Sequence, residues 1–348
     1  MNAEVLIAKE GHLGRIRLNR PKALNALTTD MCLRMLDALA DFEADDEIAL
    51  VVIDHAQGRG FCAGGDIRML SDSMKGDGVA ARAFFHTEYR LDHRLFTYPK
   101  PTVSIMDGIT MGGGVGIALP CRYRIATENT RFAMPETGIG LFPDVGGSWY
   151  LSRLPGQVGK FMGLTGARLD GAECLALGLA THYIASADVP AAIAALNDSA
   201  DIFATLKSHG VGAPLARIVE NRTHIDRLFA GDSVAGIMAA LEADGSEWAL
   251  KELATLRSKS PLSMAVALRQ LREGAAMTDF ADIMRMEYRI AVRVLAHPDF
   301  IEGVRAVVID KDNAPRWVPD ASSADVDAVF APLPAEQEWT PLLSSPRA

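Results

Sequence analysis

Cysteine is scarce and poorly placed for cross-linking. Cys32, Cys62, Cys121 and Cys174 are the four cysteines in 348 residues, and no two form a C-x-x-C pair. That excludes a disulfide scaffold and points to a reducing compartment, read here as the cytoplasm. Positive charge is in deficit: 35 Lys and Arg face 44 Asp and Glu, a net charge of −9. Sequence-independent binding to nucleic acid rests on neutralising phosphates, so no nucleic-acid partner is expected. An anionic ligand would have to be held by a local positive cluster or by backbone N–H groups. No uninterrupted apolar run approaches the ~20 residues of a membrane span, so no membrane partner is expected either. The opening MNAEVLIAKEGHLG lacks the basic-then-apolar layout of a secretory signal.

Several catalytic signatures are missing as well. There is no G-x-x-x-x-G-K-[ST], no G-x-G-x-x-G after a strand, no G-x-S-x-G and no H-E-x-x-H. His86 and His93 share a helix face, but seven residues at ~1.5 Å rise separate them by about 10 Å, too far to share one metal. No metal site and no cofactor are implied.

What is present is an ordinary globular balance, 49% apolar and 23% charged. Strand candidates are Val5–Lys9, Gly14–Leu18, Ala49–Ile53, Pro101–Met106, Tyr123–Ala126 and Arg131–Ala133. Helical stripes cover Thr29–Phe42 and Val79–Thr97, with a loop at His55–Asp66 between them. After about residue 146 the pattern turns helical, with stripes at 189–206, 213–229, 247–257, 261–273, 278–296 and 299–309. The last ~25 residues, rich in Pro, Ser and Ala, read as irregular. The expectation is an α/β core over 1–185 followed by a helical region over 186–348.

Two glycine clusters each open a helix after a strand: Ala63-Gly64-Gly65-Asp66, and Gly112-Gly113-Gly114 with Gly116. Glycine lets backbone approach a ligand, and a helix start leaves free N–H donors. Two such turns in tandem could form an oxyanion hole, or they could be tightly packed strand-to-helix turns. Three carboxylates stand in apolar company. Glu88 shares its stripe with Phe84, Phe85, Leu91 and Leu95, so it lies at the helix edge or is buried for a purpose. Glu136 sits where a strand ends and a glycine loop begins. Asp144, in Leu141-Phe142-Pro143-Asp144-Val145-Gly146-Gly147, is either an N-cap or the partner of Glu136 in acid–base work.

Leu18-Asn19-Arg20-Pro21-Lys22-Ala23-Leu24-Asn25-Ala26-Leu27, the Ala63–Asp66 turn and Gly108 through Gly116, in this order and spacing, resemble the crotonase (enoyl-CoA hydratase/isomerase) superfamily. The resemblance implies a spiral of repeated ββα units with a helical C-terminal region. It also implies an acyl-coenzyme A thioester whose carbonyl sits between the N–H groups of Gly65 and Gly113. Arg20, Lys22, Ala63 and Gly65 match the coenzyme A-binding positions. Hydratases carry a first catalytic glutamate that falls on Gly116 here, and a second that matches Glu136. Met134-Pro135-Glu136-Thr137, Gly140 through Gly147, and Asp299 through Ala306 are similar to the 3-hydroxyisobutyryl-CoA hydrolase branch. In that branch Glu88, Gly113, Glu136 and Asp144 match substrate-binding and catalytic positions.

The resemblance thus implies thioester hydrolysis of a short 3-hydroxyacyl-CoA, in valine degradation. Glu136 would attack the carbonyl or deprotonate the attacking water, and Asp144 and Glu88 would orient the acyl hydroxyl or help protonate the thiolate. The alternatives are another crotonase-type reaction, such as hydration or isomerisation, and a non-catalytic acyl-CoA-binding protein. A homo-oligomer is compatible with the family.

Overall fold

The computed structural model describes residues 3–342. Strands β1 (Val5–Glu10) and β2 (Leu13–Leu18) pair antiparallel across a turn at Gly11, whose φ is +62°. Strand β3 (Leu50–His55) is buried over Leu50–Asp54, the mark of a parallel strand covered on both faces. From there the chain winds in a repeating way. Strands β3, β5 (Thr102–Met106) and β7 (Tyr123–Ala126) join one sheet, and each is followed within a few residues by a short strand of a second sheet. Those short strands are β4 (Gly60–Cys62), β6 (Ile109–Met111) and β8 (Arg131–Ala133). With β9 (Leu169–Asp170) and β10 (His182–Tyr183), the sheets run β1-β2-β3-β5-β7-β10 and β4-β6-β8-β9. Stacking like strand on like strand in parallel is the ββα spiral that the motifs imply.

Helix α1 (Thr29–Ala44) is N-capped by Thr28, whose side chain accepts the Met31 N–H. Helix α2 (Ile67–Met74) is capped by Asp66, and α3 (Val79–Phe96) follows it. Helix α3 is clasped between α1 and the helix Phe280–Val294, so it buries residues on more than one face. That double cover takes Glu88 and Asp92 out of water together with Phe84, Tyr89 and Leu91.

One hydrophobic cluster runs from Val5 to Trp339 and includes the helices Pro261–Ala276 and Phe280–Val294. The strands do end near residue 185, but the core does not. The C-terminal helices close the spiral, and the buried Trp339 donates its indole N–H to the His86 carbonyl. A smaller cluster, including Leu13, Val52, Ile125, Ile193 and Leu206, lies on the other side of the larger sheet.

Several elements differ from expectation. The 55–66 loop contains β4, and β6, β9 and β10 are two or three residues long, too short to show a periodicity. The stripe over 189–206 is two helices, Val189–Leu196 and Ile202–Ser208, the second restarted by the cap of Asp201. The 213–229 stripe is likewise broken into Arg217–Glu220 and Arg222–Leu228. Helix Val234–Asp244 was not expected. Within the C-terminal stretch expected to be irregular, Ser323–Phe330 is helical, started by a capping box of Ser322 and Asp325. Residues 331–342 are irregular as expected, apart from a 3-10 turn at Ala335–Gln337, and 343–348 lie outside the described residues.

Candidate active site

The two glycine turns meet at the ends of β4 and β6. Leu27 donates its N–H to the Gly64 carbonyl at 2.8 Å, and Asp66 donates its own to the Leu27 carbonyl at 2.9 Å. This stitches the loop before α1 to the first turn and leaves Gly65 N–H facing away from it. In the second turn Gly112 adopts φ +48° and Gly113 opens helix α4 (Gly113–Ala118). Among the described residues, the N–H groups of Gly65 and Gly113 donate to nothing in the chain. A Cβ on Gly64 would sit 3.6 Å from the Gly113 nitrogen, so the turns are in contact. Two unpaired donors from abutting turns have the arrangement an oxyanion hole requires, and the turns are also tightly packed, since a Cβ on Gly114 would collide with the Cys62 carbonyl and one on Gly65 with the Phe84 ring.

Around these donors lies a small cavity of about 90 Å³ lined by Ala63, Gly65, Gly113, Glu88, Glu136 and Asp144, among others. All three carboxylates are buried, at 2%, 5% and 6% exposure. Glu88 is therefore not at a helix edge: its carboxyl packs directly on Gly113, where any side chain would displace it. Glu136 begins a 3-10 turn that ends at Gly140, and Oε2 has no hydrogen-bond partner. Its Oε1 lies 3.2 Å from where a Gly112 Cβ would be. Asp144 is no N-cap, since the following short helix is capped by Gly146. Instead its Oδ2 accepts the Tyr89 hydroxyl at 2.9 Å.

Burial dominates the electrostatics. It raises Glu136 well above the ordinary carboxylate range, with the Asp144 charge adding to it and Lys259 opposing. It lifts Asp144 to about 7 against the Tyr89 hydrogen bond. Glu88 is raised well above its usual value by burial, then by Asp92, Asp144 and Glu136. Asp144, at about 7, is suited to hold and pass a proton near neutral pH.

Four supporting residues escaped the sequence reading. Tyr89 lies beside Glu88 and was lost in the apolar stripe. Asp92, one turn beyond Glu88, is 0% exposed, and neither of its oxygens has a partner. Glu287 accepts the N–H groups of Gly146 and Ser148 at 2.8 and 2.9 Å. That clamp holds Val145 at φ +51°, a costly conformation for a β-branched residue, and so fixes Asp144 next to it. Lys259 lies behind the 136–138 turn, with Nζ 3.2 Å from where a Gly138 Cβ would lie. Asp92 carried a signal, being at i+4 from Glu88. Glu287 and Lys259 carried none, because more than a hundred residues separate them from the loops they touch.

The expected coenzyme A-binding cations part company. Arg20 is engaged inside the protein, with Asp66 at 2.7 Å, the Ala26 carbonyl at 3.1 Å and Glu4 at 3.2 Å. Lys22 is exposed. Ala63 and Gly65 both line the cavity. His86 and His93 pack against Tyr288 and Phe280, and no metal-ligating cluster occurs among the described residues.

Comparison with known proteins agrees with this geometry. The family described as enoyl-CoA hydratase/isomerase matches residues 13–330. A Gallus gallus protein named 3-hydroxyisobutyryl-CoA hydrolase, mitochondrial, is 43% identical over 95% of this chain and 89% of its own length. The Homo sapiens protein of the same name is 42% identical over 91% and 84%. A crystal structure described as a carnitinyl-CoA dehydratase from Mycobacterium thermoresistibile superposes with a TM-score of 0.93 at 40% identity, covering 97% of this chain and 99% of that one. One described as an enoyl-CoA hydratase from Rhodobacter sphaeroides 2.4.1 gives 0.90 at 42%, covering 97% and 100%. The animal relatives are named mitochondrial, so they lend nothing to a cytoplasmic location, and no described helix is long and apolar enough to cross a membrane. On the family match, the fold and the relatives together, the chain belongs to the enoyl-CoA hydratase/isomerase (crotonase) family.

Proposed function

We propose that this chain hydrolyses a short 3-hydroxyacyl-CoA thioester, 3-hydroxyisobutyryl-CoA foremost, to coenzyme A and 3-hydroxyisobutyrate, a step of valine breakdown. The observation that carries hydrolysis over hydration is at Gly116. The space its side chain would fill is taken by Asp92 Oδ1 at 2.8 Å and Val145 Cβ at 2.7 Å. No acid can therefore reach the substrate from α4, and Asp92 itself does not line the cavity. Glu88, Glu136 and Asp144 line the same cavity as the two free N–H groups, with the Glu88 carboxyl against Gly113 and that of Glu136 near Gly112. The relatives named 3-hydroxyisobutyryl-CoA hydrolase support the same reading.

The thioester carbonyl oxygen docks on the N–H groups of Gly65 and Gly113, which stabilise the tetrahedral oxyanion. Losing one such donor costs roughly 2.7–4 kcal/mol of transition-state stabilisation. Glu136, with Oε2 unpartnered, attacks the carbonyl carbon or takes a proton from the attacking water; either route begins from its carboxylate form. Asp144, steadied by Tyr89, faces the acyl group and binds its 3-hydroxyl, and in protonated form it supplies the proton for the departing thiolate. Glu88 in neutral form braces Gly113. Lys22 meets the coenzyme A phosphates, while Arg20 holds the loop to Asp66. A 90 Å³ cavity admits only the acyl head, so the coenzyme A portion lies outside it. Four buried free thiols suit the reducing cytoplasm, and a homo-oligomer remains the family expectation.

The test is free-thiol release from 3-hydroxyisobutyryl-CoA and from isobutyryl-CoA, with wild type and Asp144→Asn. Wild type should prefer the hydroxylated thioester, and the variant should lose much of that preference. Equal rates on both thioesters in wild type would remove the 3-hydroxyacyl assignment.

A further inference from the structure

A second cavity, larger than the one that holds the carboxylates, lies among the later helices. A cleft of about 870 Å³ opens among the helices Val158–Thr165, Val234–Asp244 and Pro261–Ala276. That volume is in the range of small-molecule sites, roughly 300–1,000 Å³. Its floor is apolar, with Leu151, Met238, Leu256, Met264 and Leu268. Met264 and Leu268 are one helical turn apart and form a continuous track.

The rim is positive in a chain whose net charge is −9. Lys160, Arg257, Lys259, Arg269 and Arg272 line the cleft, against Asp232 and Asp320. Three of these cations are spoken for. Lys160 donates to the Ala230 and Gly231 carbonyls, Arg257 pairs with Glu242, and Arg269 pairs with Glu273 and Asp327. Among the described residues, Lys259 and Arg272 meet no carboxylate within 4.0 Å. Lys259 stands at the start of the Met264–Leu268 track, and its other side abuts Gly138, two residues after Glu136. The next residue, Ser260, donates its N–H to the Thr137 carbonyl at 3.1 Å. The wall between the cleft and the active site is thus the 136–138 turn on one side and 259–260 on the other.

We propose that this cleft is a second ligand site, for a carboxylate with a medium-length apolar tail. The carboxylate meets Lys259, the tail lies along Met264 and Leu268, and occupancy slows turnover by drawing the Lys259 charge away from Glu136. The binding half stands independently of the reaction. The coupling half rests on the role proposed for Glu136.

The probe is octanoate, with octanol as the uncharged control, titrated calorimetrically into the full chain. Octanoate should bind saturably at one site, unaffected by saturating coenzyme A. Octanol, the Lys259→Met variant and the Leu268→Glu variant should each bind at least about tenfold more weakly, and Lys259→Arg should restore binding. In thiol-release kinetics octanoate should lower kcat to a plateau without raising KM, and Leu268→Glu should keep its basal rate while losing this response. No saturable binding, equal binding of octanol, or competition with coenzyme A overturns the site. Binding as described with kcat unmoved overturns the coupling. Binding as described in a chain that releases no thiol from any thioester overturns the proposed reaction and leaves the site standing.

Discussion

Replacing Asp144 by Asn should make the protein more stable, and only above a definite pH. Asp144 is 6% exposed, and burial lifts its carboxyl from 3.8 to about 7. A carboxyl raised in the folded state binds its proton more tightly there than in the unfolded chain. Its contribution to stability is therefore full below the unfolded value and is lost as pH rises through the folded one. For a displacement from 3.8 to about 7 the loss is at most roughly 4 kcal/mol, complete by about pH 8. Asn cannot ionise, and its side-chain oxygen still accepts the Tyr89 hydroxyl, so the variant escapes this loss while keeping the contact. Glu88, Asp92, Glu136 and Glu287 are each raised in part by the Asp144 charge, so its removal also relieves their repulsion and moves the difference in the same direction. Chemical denaturation of both proteins at about pH 4, 6 and 8 reads the effect directly. The two should coincide near pH 4 and diverge by several kcal/mol at pH 8, with the variant the more stable and the less discriminating catalyst. A difference that is constant across pH, or that favours wild type at pH 8, would refute the placement of Asp144 as a buried, proton-holding group.

Glu136→Gln keeps the shape of the side chain but removes its basicity; kcat should fall about 10²–10⁴-fold with a modest change in KM, measured by thiol release. A fully active variant would take Glu136 out of the mechanism. Gly116→Glu should not create a hydratase, because the new side chain collides with Asp92 and Val145; the variant should lose roughly 1–3 kcal/mol or more in denaturation and gain no hydration of a 2-enoyl thioester. Trp339→Ala should cost about 3–5 kcal/mol, since the indole is fully buried against α3 with its N–H on the His86 carbonyl; an unchanged midpoint would mean that the C-terminal segment is not docked.

How far the site could be read in advance depended on sequence distance. Glu88 declared itself because an acid on the Phe84–Leu95 stripe breaks a local pattern, and local patterns survive in one dimension. Gly65 and Gly113 were visible as glycine clusters, though only the fold shows that Gly64 touches the second turn and that both N–H groups are unpaired. Glu287 and Lys259 were invisible. Their effect on Asp144 and Glu136 comes from the helices 280–294 and 261–276 closing over the spiral, a tertiary event with no sequence period. The short strands β4, β6, β9 and β10 were missed for a different reason: two or three residues exist as strands only because a neighbour offers its edge. Helix Ser323–Phe330 was obscured by a composition typical of loops, although its capping box was there to be read.

The central claim is that the acids beside the Gly65/Gly113 donors serve hydrolysis and not addition of water to a double bond. The most direct measurement runs both reactions side by side on one wild-type preparation: thiol release from 3-hydroxyisobutyryl-CoA, and hydration of crotonyl-CoA. The occupied space at Gly116 predicts rapid release of coenzyme A and barely detectable hydration. Strong hydration with negligible thiol release would contradict the account and return the chain to the hydratase reading that its neighbours of known structure suggest.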